Sequence, residues 1–147
     1  MENFYKNNKL IIQNTSKKEV IFDITSQDVS IDSFSISKQE YEKSILAVVK
    51  KYQDSLFYNL NLDYKVVIIT NDTFEFNEEF LSFFDIDLLI LPSKNSIKIY
   101  ENLEAKIVLP FEKDIFFTSI SQHKEEVETH KIKAILDVTE FVNLKIG

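Results

Sequence analysis

His123, Glu126 and His130 are the first residues of this 147-residue chain whose types and spacing suggest chemistry. On a helix the steps of three and four would point all three the same way, and two neutral imidazoles with a carboxylate suit a first-row metal. The pattern is neither His-Glu-x-x-His nor Glu-x-x-His, and Lys124, Glu125, Glu128 and Lys131 interleave it as on a solvated helix face. The expectation is therefore no metal and no cofactor, with these three residues the first to inspect. A second concentration is acidic and aromatic. Between Lys65 and Lys94 there is no basic residue, but Asp72, Glu75, Glu78, Glu79, Asp85 and Asp87 alternate with Phe74, Phe76, Phe80, Phe83 and Phe84. Any Phe left outside that ring of carboxylates would make an anchor with an acidic rim for a basic protein. Asp72, Phe74, Glu75, Phe76, Glu78, Glu79 and Phe83 are the expected partner-binding residues; the competing reading puts all five Phe in the core.

Asp85-Ile86-Asp87-Leu88-Leu89-Ile90 resembles the nucleotidyltransferase signature, in which two Asp open a strand and hold the catalytic metal pair. The resemblance implies an enzyme or a degenerate relative acting through Asp85 and Asp87. That family places a Gly-Ser pair after an earlier strand to hold the phosphates, whereas here Val66–Ile69 runs into Thr70-Asn71-Asp72-Thr73.

The chain's one glycine is Gly147. Phosphate-cradling loops, dinucleotide fingerprints and nucleophile elbows all need residues without Cβ at fixed places, so none of them is present. Without cysteine there is no thiol catalysis and no disulfide. The net charge of −7 lies entirely beyond residue 60, and arginine is absent. Clustered cations for phosphate contacts are missing, so no nucleic-acid partner is expected. The scarcity of Gly, Ala, Pro and Arg beside abundant Ile, Lys and Asn is also what an AT-rich coding genome produces. No apolar run is long enough to span a bilayer. Met1–Leu10 is polar, which sets cytoplasmic as the expected location.

These residues must be positioned by a single α/β (α+β) domain spanning residues 1–147. Leu10–Ile12 and Val20–Ile24 read as a hairpin turned by Asn14–Lys18. Ser37 and Glu40 form a capping box. From it Tyr41, Ile45, Val48, Val49, Tyr52 and Leu56 make one stripe, predicting a long amphipathic helix over about Lys38–Tyr58. Lys65–Thr70 and Leu88–Leu91 read as strands buried on both faces, with a short helix over Glu78–Phe84 between them. Ile97–Tyr100, Ala105–Leu109 and Ile115–Ile120 read as further strands on short, hence antiparallel, connections. From about Gln122 to Ala134 the chain reads as helix. Turns must be made without glycine, so Asn14, Asn71, Asn95 and Asn102 are the expected positions of positive φ.

The long helix followed by Lys65–Thr70 is similar to the helix-then-strand core of small baseplate wedge proteins. That family's Glu-Pro-Arg signature is replaced here by Tyr52-Gln53-Asp54-Ser55-Leu56. The expected function is a non-enzymatic protein-protein interaction domain. It would serve either as a subunit of a bacterial or phage assembly of secretion-machine or baseplate type, or as an immunity-type inhibitor with an acidic Phe-rich face. The alternative is a nucleotidyltransferase-like protein using Asp85 and Asp87.

Overall fold

The structure, a computed structural model, describes residues 1–31, 34–35, 47–52, 55–70, 86–92, 100–101, 103, 105–132 and 139–146. Within them the chain is a mixed α+β fold of two six-stranded sheets and a helix. The first sheet contains β1 (Glu2–Lys6), β2 (Lys9–Gln13), β3 (Glu19–Asp23), β4 (Val29–Ile31), β5 (Phe34–Ser35) and β11 (Thr129–Lys131). Its order is β11-β1-β2-β3-β4-β5, with every pair antiparallel. The second contains β6 (Ala47–Tyr52), β7 (Ser55–Asn61), β8 (Lys65–Ile69), β9 (Ile86–Leu91), β10 (Ala105–Pro110) and β12 (Glu140–Phe141), in the order β12-β10-β9-β8-β7-β6. Here β6, β7 and β8 form an antiparallel meander, and β8, β9, β10 and β12 are parallel.

The alternation of side chains builds three layers. Tyr58, Leu60, Val66, Ile68, Leu88, Ile90, Ile107 and Leu109 face the first sheet and pack with its Leu10, Ile12, Val20, Phe22, Val29 and Ile31. Their neighbours Phe57, Val67, Ile69, Leu89, Leu91 and Val108 face the other way, onto Leu103, Phe116, Phe117 and Phe141. Phe116 and Phe117 belong to α1 (Lys113–Ser119). Tyr100 and Phe141 meet the Phe116 ring with centroids 5.6 and 6.1 Å away. The strands read as buried on both faces, Lys65–Thr70 and Leu88–Leu91, are so, as is the hairpin of β2 and β3 where it was expected.

Four expectations change. Residues 47–52 and 55–58 of the expected long helix are strands, with Tyr52 opposite Ser55; the stretch 38–46 lies outside the described residues. Val48, Val49, Tyr52, Phe57 and Tyr58 are β-branched or aromatic, types that favour a pleated surface, and sheet pairing overrides the helical spacing. The region after Leu88 is parallel rather than antiparallel, because Tyr100 and Glu101 are helical and the stretch between Leu91 and Ala105 is about a dozen residues, enough for a crossover. Ile115–Ile120 is helical up to Ser119, since Phe116, Phe117 and Ile120 bury one helical face. The helix expected over 122–134 is an irregular strap, 122–126, leading into β11.

Positive φ falls at Asn7, Asn8, Lys17, Gln27 and Ser121, and not at Asn14; Asn71, Asn95 and Asn102 lie outside the described residues. Asn7 and Asn8 form the two-residue turn between β1 and β2, where both central positions need φ above zero. Asn14 contributes through its side chain instead, whose Oδ1 accepts the Lys18 backbone N–H at 2.8 Å. Asp23 does the same for the β3–β4 turn, accepting the Thr25 and Ser26 N–H groups.

Phe116 is buried while Ile115 beside it is 54% exposed. Phe116→Ala should cost about 3–5 kcal/mol in urea unfolding, and Ile115→Ala about 0.5 kcal/mol or less. Equal losses would contradict the helix packing.

Candidate functional site

The described features that could meet a ligand or partner gather along the strap 122–131. It begins where α1 ends in a Schellman closure. The Gln122 N–H donates to the Phe117 C=O at 3.1 Å and the Ser121 N–H to the Thr118 C=O at 3.1 Å, with Ser121 at φ 54° in the place glycine usually takes. The strap then crosses from the helix layer to the edge of the first sheet. On the way it is bound to the segment 143–145. The Val127 N–H donates to Asn143 C=O and the Lys145 N–H to Val127 C=O, each at 2.8 Å. The Asn143 Nδ2 donates to Lys124 C=O at 2.8 Å.

Two open clefts flank it. One, of about 590 Å³, is lined by Lys113, Phe117, His123, Lys124, Glu126 and Asn143. The other, of about 290 Å³, is lined by Phe4, Tyr5, Glu128, Thr129 and Lys145. In the first, Lys113 Nζ donates to Glu126 Oε2 at 2.8 Å and to Leu144 C=O at 3.1 Å. The Lys113 ammonium thereby holds the Glu126 carboxyl below the usual carboxylate range. In the second, burial pushes the Tyr5 phenol up and keeps it protonated.

The three residues expected to share a helix face are separated by this path. His123 is exposed on the irregular strap, Glu126 is paired with Lys113, and His130 turns inward from β11. Among the described residues no group of three His, Cys, Asp or Glu could hold a metal ion. His130 instead sits between Asn3 Nδ2, 3.3 Å from its Nδ1, and Glu140 Oε1, 3.2 Å from its Nε2. Asp87, at the start of β9, accepts the Lys65 backbone N–H at 2.9 Å and so ties the start of β8 to β9. Asp85 lies outside the described residues, as do Asp72, Phe74, Glu75, Phe76, Glu78, Glu79 and Phe83.

A further feature is on the outer face of the first sheet. Cross-strand registers align Thr129, Phe4, Ile11, Ile21 and Ser30 in one row. Phe4, Ile11 and Ile21 are half-buried there. The row beside it holds Lys131, Glu2, Gln13 and Glu19, with a Lys131–Glu2 pair at 3.4 Å and a Gln13–Glu19 hydrogen bond. On its other side stand Lys6, Lys9 and Asp23. The stripe escaped the sequence reading because Glu2–Lys6 looks polar; the signal that carries it is the runs Leu10-Ile11-Ile12 and Val20-Ile21-Phe22, since three successive apolar residues on a strand put the middle one on the opposite face from its neighbours. No family model, curated protein or solved structure matches the chain.

Because the Glu126 carboxyl is held low, its contribution to stability is present above the ordinary carboxyl range and is lost as pH falls through it. The melting temperature of the wild type should fall more steeply between about pH 6 and pH 3 than that of Glu126→Gln. Parallel profiles would show that the Lys113 pair does not fasten the strap.

Proposed function

We propose that this chain is a non-enzymatic protein-binding domain, serving as an assembly subunit or an immunity-type inhibitor in a bacterial or phage setting. The observation that carries the reading is the stripe of Phe4, Ile11 and Ile21 between two charged rows. A solvent-facing sheet surface is ordinarily polar. An apolar stripe with a charged rim has the composition of a protein contact, with anchors at the centre and charges that exclude water around them. The net charge of −7 favours a basic partner through steering. The acidic stretch from Asp72 to Phe83 is proposed as a second contact on the same grounds.

Two observations weigh against the catalytic alternative. Asp87 Oδ2 accepts the Lys65 backbone N–H, a role in fastening β8 to β9. Each described parallel strand after β8 is also added on the same side of the sheet. Ligand crevices in open α/β sheets form where the strand order reverses, and among the described strands there is no reversal.

Affinity purification from the source cell should recover a stoichiometric protein partner. Ile11→Lys should weaken that complex at least about tenfold while leaving the melting temperature within a few degrees. Charge reversal of Glu78 and Glu79 together should slow association at low salt. A confirmed complex that is indifferent to Ile11→Lys would remove the stripe from the interface.

A further inference from the structure

The layer between the two sheets contains one row that changes character along its length. Across the inward face of the first sheet the registers align His130, Asn3, Ile12, Val20 and Ile31. Three members are apolar core, and the two at the edge are polar and buried. Glu140 meets them from β12 of the other sheet; it is in register with Ile107, whose side chain faces the first sheet. The Asn3 side chain is fully buried, and its Oδ1 has no hydrogen-bond partner among the described residues.

Donor and acceptor accounting places the proton. An amide nitrogen only donates, so the His130 Nδ1 that faces Asn3 Nδ2 must offer a lone pair. The neutral ring then carries its proton on Nε2, where the Glu140 carboxylate accepts it. A second proton, on Nδ1, would set N–H against N–H. The amide can relieve this by turning end over end. Its oxygen and nitrogen then exchange places with little change in shape, and the unpartnered Oδ1 receives the new N–H. Both protonation states of the ring are thereby held at both nitrogens with no movement of the backbone.

We infer that Asn3, His130 and Glu140 form a fastener between the two sheets that stays closed in both protonation states of the ring: protonation of His130 turns the Asn3 amide and converts the bond to Glu140 into a charge pair. Among the described residues Glu140 is the charged group hydrogen-bonded to the ring, and the Met1 ammonium, in the same core, pairs with Asp63 at 3.9 Å. Glu2 and Lys131 pair with each other on the outer face. Glu128 is exposed and pairs with Lys145, and Lys106 alternates with Ile107 onto the opposite face of the second sheet.

The chain has two histidines, so nitrogen-15 spectra of the imidazoles contain two ring systems, with the exposed His123 as internal reference. In a titration of the full chain from about pH 8.5 to 5, His130 should begin with Nδ1 unprotonated and Nε2 protonated. The Asn3 side-chain amide signals should then change in step with His130. Asn3→Leu, of similar size and without a donor, should leave Nδ1 without its hydrogen bond, so that the His130 Nδ1 signal moves while those of His123 stay in place. A proton on Nδ1 at high pH in the wild type would overturn the inference, as would Asn3 amide signals that do not change when His130 is protonated. The wild-type tautomer decides the first point even if the variant fails to fold.

Discussion

The middle of the second sheet has no polar face. Val66 to Ile69, Leu88 to Leu91 and Ile107 to Leu109 are buried without interruption, so both pleat directions carry aliphatic side chains. Such strands are stable only if each face of the sheet is covered, because every exposed face would leave apolar area in water, at about 25 cal/mol per Å². The rest of the described fold answers that constraint. The first sheet covers one side with Leu10, Ile12, Val20 and Phe22, and α1 with the Phe116 aromatic group covers the other. Those two covers lie on opposite sides of the second sheet, and one strap, 122–131, runs from one to the other.

This arrangement explains where polar chemistry is found and where it is not. Among the described residues the interior between the layers is mainly apolar, and its histidine and asparagine lie at the edge where His130 of β11 meets Glu140 of β12. Polar side chains that reach inward do so at seams. Asp63, in the β7–β8 turn, accepts the Thr15 N–H at 2.9 Å and the Thr15 hydroxyl at 3.3 Å from the β2–β3 turn. His130 and Glu140 close another seam. Each joins one sheet to the other through groups of fixed geometry, which sets the register of two surfaces whose aliphatic packing alone is non-directional.

The buried strands were legible in the sequence because the continuous four-residue apolar runs Val66–Ile69 and Leu88–Leu91 have few other homes. The meander of β6 and β7 was not, since Tyr41, Ile45, Val48, Val49, Tyr52 and Leu56 satisfy a helical spacing, and only hairpin pairing among β6, β7 and β8 decides for strand. The strap was misread for a related reason. His123, Glu126 and His130 have helical spacing, but Ser121 stops α1 just before them and Val127 and Thr129 pair as extended chain. Asn3 and Glu140, which hold His130, are more than a hundred residues apart, and spacing arguments reach only a few turns. The stripe on the first sheet was readable in principle, because the runs Leu10-Ile11-Ile12 and Val20-Ile21-Phe22 must put their middle residues on the opposite face.

The turns carry a different kind of consequence. Asn7, Asn8, Lys17, Gln27 and Ser121 hold positive φ with a Cβ present, each at a local cost of about 1–2 kcal/mol relative to glycine. Glycine in those places would remove the strain, but it would also widen the range of conformations open to the denatured chain. A body without glycine therefore begins folding from a narrower ensemble and has less backbone entropy to surrender. The five left-handed residues among those described are the native-state counterpart of that gain, with strain at a few turn positions set against a stiffer chain throughout.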